Sequence, residues 1–223
     1  MLNDAVENGA QAVALCASGT EEIRRALERL SERGVPVATF NSDVPGGRRI
    51  CYVGEDGHRA GRVAGEIASC FLSRGDAFLV IYADPKYTAH KARVDGFLER
   101  LAERGIPEEN GVIAATHRDY RKTAETVESA LAAHPNLRMV YMAACAEVLR
   151  SRGLAEKVHI LSHDCGPEIQ ELLKSGEVDF TIGQDLAYQP YQALSVLFEA
   201  LMGQRPDRDT YVTACPILNS ESI

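Results

Sequence analysis

The chain has 223 residues, enough to build a full core as one domain or two small lobes. Its 45% hydrophobic and 25% charged residues are ordinary for a globular protein, and no apolar run approaches the ~20 residues of a membrane span. With 32 acidic against 24 basic side chains the net charge is −8, which argues against a nucleic-acid surface and leaves room only for a local basic patch.

Helical and strand-like stretches alternate almost throughout, which predicts an α/β fold with parallel sheets. Leu2–Asn8 reads as a helix stopped by Gly9, and Ala12–Leu15 as a strand. Thr20 is placed to cap a helix over Glu21–Arg33, with Ile23, Leu27 and Leu30 on one stripe and Gly34 at its end. Val35–Phe40 is the next strand; it delivers Asn41, Ser42 and Asp43 to its carboxyl end. Pro45-Gly46-Gly47 then turns the chain into a strand at Ile50–Val53.

The helix from Gly57 to about Ser73 carries Gly57, Gly61 and Gly65 at every fourth position. That stripe lets backbone pack closely; it is not a phosphate loop, because no GK[ST] follows. Ala77–Tyr82 is a strand leading into the turn Ala83-Asp84-Pro85-Lys86. Thr88–Arg104 is a helix with Val94, Phe97, Leu98 and Leu101 on one face. Arg93 falls in its first half, near a crevice rather than deep in the core.

Val112–Ala115 is a strand, and His117-Arg118-Asp119 has the letters of a kinase catalytic loop. No Asp-Phe-Gly or glycine-rich loop accompanies them, so Asp119 is expected to cap a helix over Tyr120–Ala133. Leu137–Met142 is a strand, followed by a short helix at Ala146–Arg152.

A further apolar run, Val158–Leu161, ends at Ser162-His163-Asp164, and Gly166-Pro167 opens a helix closed by Lys174 and Gly176. Phe180–Ile182 then stops at Gly183-Gln184-Asp185. This strand–helix–strand unit has polar side chains at the carboxyl end of both strands, the edge where open parallel sheets bind ligands. Asp164 and Gln184 would then face one crevice; the plainer alternative is that Asp164 caps a helix and Gln184 decorates a turn. A helix over Tyr188–Met202 is broken by Gly203-Gln204-Arg205-Pro206, and Tyr211–Ile217 returns as a strand.

No nucleophile elbow, HExxH or paired-cysteine metal motif is present. His159, His163, Asp164 and Cys165 are neighbours in sequence, but alternate strand residues diverge to opposite faces, so no metal cluster is expected. The six cysteines (Cys16, Cys51, Cys70, Cys145, Cys165, Cys215) are scattered and read as mostly buried free thiols, which leans towards a reducing cytoplasm. What is left is Asn41, Ser42, Asp43, Asp164 and Gln184, with Arg93 opposite. Carboxylate, amide and guanidinium groups suit a neutral polyhydroxylated ligand bound without a cofactor and without turnover.

Five stretches carry a resemblance: VPVATFNSDVP (35–45), YVGEDGHRAGRVAGEIA (52–68), KARVDGF (91–97), ILSHDCGPEIQELLKSGEVDFTIGQD (160–185) and YQPYQALSVLFEALMGQRP (188–206). Together they resemble the effector-binding region of lac-repressor-family (LacI/GalR) regulators, and equally the related periplasmic sugar-binding proteins. The resemblance implies two Rossmann-like lobes with parallel sheets, the type I periplasmic-binding-protein fold, closing on a ligand between them. It assigns residues 1–56 plus 186–207 to an N-terminal lobe and 57–185 plus 208–223 to a C-terminal lobe. It also implies that the N-terminal lobe is incomplete, since the family's first strand, helix and second strand would precede Met1.

Residue by residue, Asn41 stands where the family has a hydroxyl-binding Asp or Asn. Arg93 matches its sugar-clasping Arg, Asp164 its hydroxyl-accepting carboxylate, and Gln184 the Gln at the final crossover. Met142-Ala143-Ala144-Cys145 departs from the pattern, which ends this strand in Asn-Asp. The helix after it is about two turns shorter than the family's.

The resemblance implies an effector-sensing region of a LacI-type transcriptional regulator: cytoplasmic, homodimeric, binding a sugar or polyol, and acting on operator DNA only through a headpiece absent from this sequence. The alternative is a periplasmic sugar-binding receptor of an ABC transporter, monomeric; the MLNDAVENGA start lacks the features of a signal peptide. Under both readings the chain is no enzyme, has no membrane partner, and does not bind DNA specifically by itself. The apolar helix Tyr188–Met202, with Leu194, Leu197, Phe198 and Leu201, is the candidate two-fold interface, although much of that stripe must bury against the sheet.

Overall fold

The computed structural model describes residues 2–84, 86–142 and 145–223. Pro85 of the predicted turn and the Ala143-Ala144 pair that departs from the family pattern therefore lie outside the described residues. In chain order the elements are α1 (Leu2–Glu7), β1 (Val13–Leu15), α2 (Glu21–Glu32), β2 (Val37–Phe40), β3 (Cys51–Glu55), α3 (Gly57–Ala68), β4 (Ala77–Tyr82) and α4 (Thr88–Glu103). There follow β5 (Gly111–Ala115), α5 (Tyr120–Ala133), β6 (Leu137–Tyr141), α6 (Ala146–Ser151), β7 (His159–His163), α7 (Pro167–Lys174), β8 (Phe180–Ile182), α8 (Tyr188–Leu201), β9 (Thr210–Thr213) and β10 (Ile217–Leu218). None of the described helices is long and apolar enough to cross a membrane.

The chain forms two compact units. The first comprises Met1–Asp56, Lys86–Ala89 and Asp185–Ala214; the second comprises Gly57–Pro85, His90–Gln184 and Cys215–Ile223.

In the first unit, four parallel strands lie in the order β1-β2-β3-β9. Neighbours along β2 point to opposite faces, so Val37 packs with Leu27 and Leu30 of α2 while Ala38 packs with Ala193, Val196 and Leu197 of α8. Thr20 starts α2 as the sequence predicts, its Oγ1 accepting from the Ile23 amide at 3.4 Å.

In the second unit, six strands lie in the order β10-β8-β7-β6-β4-β5, all parallel except β10. Leu79 and Ile81 of β4 face Val127 of α5, Leu149 of α6 and Leu173 of α7. Phe78 and Val80 face Ala60 and Ala64 of α3 and Phe97 and Leu101 of α4. The glycine stripe of α3 does what its spacing implies: a Cβ on Gly61 would collide with the Arg93 carbonyl of α4, and one on Gly65 would lie 2.7 Å from the Phe97 carbonyl. Because β5 and β6 flank β4 on opposite sides, the winding reverses between β4 and β6. That reversal opens a crevice at their carboxyl ends.

Two elements differ from expectation: α3 ends at Ala68 and not near Ser73, and the last strand is split. The sequence predicts a single strand over Tyr211–Ile217, but the structure forms two. Thr210–Thr213 runs parallel to β3 in the first unit, and Ile217–Leu218 runs antiparallel to β8 in the second. Pro216 between them has no N–H to give to a ladder, which ends one strand before the next begins. Residues 208–214 consequently sit with the first unit and not with the C-terminal lobe.

Candidate functional site

Every strand of the first unit's sheet is parallel, so the ends of β1, β2, β3 and β9 meet at one edge. Asn41 follows β2 in left-handed backbone, φ 60°, which Asn tolerates better than most residues. Its amide N donates to the Val53 carbonyl at 2.9 Å, and its carbonyl accepts from the Tyr52 hydroxyl at 3.1 Å. Nδ2 donates to Gln189 Oε1 at 3.3 Å, and Gln189 Nε2 donates to Thr213 Oγ1 at 3.4 Å. The Cys16 thiol lies 3.8 Å from Asn41 Oδ1. Gln189 is fully buried in the first turn of α8. It is a functional candidate that sequence reasoning passes over, although a Gln opening an apolar helix is a visible signal.

Ser42 and Asp43 behave differently from each other. Ser42 is 2% exposed, and its Oγ has no hydrogen-bond partner among the described residues. A buried hydroxyl in that state costs about 1–3 kcal/mol, which a ligand hydroxyl can recover.

The Asp43 carboxylate is occupied. Oδ1 accepts from Thr39 Oγ1 at 2.6 Å, from the Val44 amide at 2.9 Å and from Arg49 Nε at 2.7 Å, while Oδ2 accepts from an Arg49 terminal nitrogen at 2.8 Å. Burial opposes its charge, but the bonds from Arg49 and Thr39 outweigh it and hold the carboxyl below its ordinary range. Asp43 fixes the loop that carries Asn41 and Ser42; its oxygens are already spent within the fold.

In the second unit the carboxyl edge brings Asp164 and Gln184 together. Asp164 follows β7 with φ 66°, its amide donating to the Ile182 carbonyl at 2.8 Å and its carbonyl accepting from Thr181 Oγ1 at 2.6 Å. Gln184 Nε2 donates to Asp164 Oδ1 at 2.5 Å. Asp164 is not a helix cap, since α7 takes Gly166 at that position with no side-chain bond.

Arg93 departs from expectation: it is 4% exposed, held down where α4 meets the glycines of α3. One turn earlier, His90 Nδ1 lies 3.1 Å from the Asp84 carbonyl. Burial lowers the His90 pKa; the Asp84 carbonyl pulls it up, Arg93 and Arg118 push it down, and Asp164 raises it. Arg93, Arg118 and Asp164 therefore all lie within electrostatic reach of one imidazole.

A cavity of about 430 Å³ opens at the ends of β4, β5 and β6, lined among others by Tyr82, Thr116, Arg118, Tyr120, Met142 and Glu168. His117, Arg118 and Met142 around it all have left-handed backbone, φ 54°, 61° and 70°. Such strain concentrates where a fold holds ligands. A second cavity, about 480 Å³, lies at the opposite, amino ends around Asn136, Arg138 and Lys157, away from any predicted site residue.

His159 and His163, four residues apart on one face of β7, take different partners. His159 Nδ1 meets Asp179 Oδ1 at 3.0 Å, while His163 Nδ1 lies 3.4 Å from the Tyr141 hydroxyl. No grouping of His, Cys, Asp and Glu among the described residues could hold a metal ion.

Residues 1–205 match the sequence model of a family described as periplasmic binding protein domain. The D-ribose/D-allose-binding protein of Pseudomonas aeruginosa is 21% identical over 216 residues, 92% of this chain and 67% of that one. A glucose-galactose binding protein from Geobacillus stearothermophilus superposes with a TM-score of 0.89 at 21% identity, covering 100% of this chain and 81% of that one. An ABC transporter solute binding protein from Burkholderia graminis in complex with D-arabinose gives a TM-score of 0.91 at 21% identity, covering 99% and 79%. At such identities the structural matches establish the fold.

Proposed function

From the premise that this chain belongs to the periplasmic binding protein domain family, we propose that it is a receptor for a monosaccharide or polyol and not an enzyme. The observation that carries this reading is the Asp164–Gln184 pair at the carboxyl ends of β7 and β8, a carboxylate and an amide joined at 2.5 Å. Within the second unit Arg93, Asp164 and Gln184 are the groups assigned to sugar hydroxyls; within the first, Asn41 and Ser42 are the candidates at its own sheet edge. Gln189 orients Asn41, and Asp43 holds its loop through Arg49. A hydroxyl-reading site of this kind discriminates well, because an unmatched analogue leaves buried polar groups unpaired. The matched relatives are named as sugar-binding proteins, which favours a periplasmic receptor serving an ABC transporter.

Calorimetry with a sugar panel tests the reading on wild type and Asp164→Asn. A loss of ten- to hundredfold in affinity is expected, the equivalent of about 1.5–3 kcal/mol for a charged hydrogen bond. Equal affinities in the two proteins remove Asp164 from the site.

A second reading has its own observation. All six cysteines are free thiols, with Cys16 and Cys70 exposed, a pattern that fits a reducing compartment. It favours the effector-sensing region of a LacI-type regulator, homodimeric and cytoplasmic, that acts on operator DNA through a headpiece. Fractionation of the native cells decides between the two: recovery with the periplasmic contents excludes the regulator, and recovery with the cytosol excludes the transport receptor.

A further inference from the structure

Asp119 does cap α5, its Oδ1 accepting from the Lys122 amide at 3.1 Å, but the cap leaves the residue before it unexplained. His117 and Arg118 are consecutive non-glycine residues in left-handed backbone, a conformation that L side chains adopt at a cost. The loop is pinned in it. The His117 amide donates to the Ala83 carbonyl at 2.7 Å, and the Asp119 amide to the Thr116 carbonyl at 2.9 Å.

The outcome is that Arg118 lines the cavity of about 430 Å³ at the β4–β6 reversal. Arg62 is paired with Glu103, Arg100 with Glu66 and Arg152 with Glu128. Among the described residues Arg118 makes no hydrogen bond or ion pair.

The other polar groups of that cavity are largely engaged. Thr116 Oγ1 accepts from Thr123 at 2.9 Å, and the Tyr120 hydroxyl donates to Glu147. Arg93 and Asp164 both act electrostatically on His90, as Arg118 does, and Asp164 is bonded by Gln184. Two guanidinium groups thus serve this edge, and among the described residues Arg118 forms no ion pair. Glu168, in the first turn of α7, is the carboxylate that lines the same cavity, so an incoming anion belongs on the side of Thr116 and Arg118. A guanidinium fork matches the paired oxygens of a carboxylate or a phosphate, and a bond to such a charged partner is stronger than one to a neutral hydroxyl.

We infer that the bound sugar carries an anionic group, a carboxylate or a phosphate, and that Arg118 is the specificity-determining residue that pairs with it. The inference rests on the sugar-binding reading above and narrows its ligand class.

Titration calorimetry on the full chain at low salt, with wild type and Arg118→Gln, tests it. The panel is D-glucose, D-glucuronate and D-glucose 6-phosphate, with D-ribose and D-ribose 5-phosphate, and circular dichroism confirms that the variant is folded. One anionic sugar should bind at least about tenfold tighter than its neutral parent. Arg118→Gln should weaken that sugar by about ten- to hundredfold and leave the neutral parent within about twofold. Whether the glucuronate or a phosphate responds identifies the anion. Neutral sugars binding as tightly as their anionic relatives, or Arg118→Gln weakening both alike, overturns the inference and leaves sugar binding standing. A folded protein that binds none of the five overturns both.

Discussion

The backbone of Gly61 in α3 rests directly on the carbonyl of Arg93 in α4, with no room for a methyl group between them. Both residues are fully or nearly fully buried, and Arg93 is one of the proposed sugar ligands. Gly61→Ala should push the two helices apart and cost about 1–3 kcal/mol, the usual range for overpacking. A thermal melt should show a fall of several degrees, and sugar affinity should drop with it because Arg93 moves. An unchanged melting temperature would mean that α3 and α4 are not held at this contact.

Asp164 and Gln184 act on a ligand as one unit, so their substitutions should not add. Asp164→Asn and Gln184→Ala are each expected to weaken sugar binding about tenfold or more, and the double variant by clearly less than the product. Asp164→Asn is preferred to Ala because Asn, like Asp, accepts left-handed backbone at φ 66°. Additive losses in a double-mutant cycle would show that the 2.5 Å bond between them is idle in binding.

Asp43 and Arg49 supply a pH-dependent contribution to stability. The folded Asp43 carboxyl lies below its ordinary range, because the bonds from Arg49 and Thr39 outweigh the cost of burying its charge. Its contribution is therefore fully present above the unfolded carboxylate range, about pH 4, and is lost as pH falls through the lower folded value. Arg49→Met should remove about 1.5–3 kcal/mol near neutral pH and much less in acid. Urea denaturation of wild type and variant at neutral and acid pH measures this; a constant difference would assign the effect to packing.

Thiol reactivity should report on the ligand edge of the first unit. Burial pushes the Cys145 thiol up to about 12 and the Cys51 thiol up to about 11, so both should alkylate slowly in the folded protein. Cys16 and Cys70 are exposed and should react first. Cys16 lies beside Asn41, so saturating sugar should slow its alkylation several-fold and leave Cys70 unchanged. Equal protection of both would point to a global effect rather than to occupancy near Asn41.

The α8 helix turns Ala193, Val196 and Leu197 into the core and leaves Tyr191, Leu194, Phe198 and Leu201 exposed, the last four at 67%, 57%, 66% and 47%. A homodimer, as the regulator reading requires, would bury this stripe. Light scattering at micromolar concentration should then show a dimer that Phe198→Glu converts to monomer. A wild-type monomer supports the transport-receptor reading.

What the sequence determined by itself is local. Apolar runs of period two or near 3.6, stopped by Gly and Pro, place Ala77–Tyr82, Tyr120–Ala133 and Phe180–Ile182 to the residue, with Thr20 and Asp119 as caps. The alternation of those elements makes the sheets parallel, and parallel sheets put Asn41, Asp164 and Gln184 at carboxyl edges. Tertiary structure alone decided which partners those residues meet. Tyr211–Ile217 looks like one strand, but its two halves pair in different sheets, because a ladder is chosen by a distant strand and not by the run itself. Asp43 looks like Asn41 and Ser42 beside it, yet Arg49 claims its carboxylate. Arg93 lies on a polar-looking helix turn yet is 4% exposed, its backbone packed directly on Gly61 of α3. Gln189 reaches Asn41 across 148 residues of sequence. Periodicity is set by bonds between neighbours along the chain, whereas burial and pairing are set by what long-range packing brings alongside.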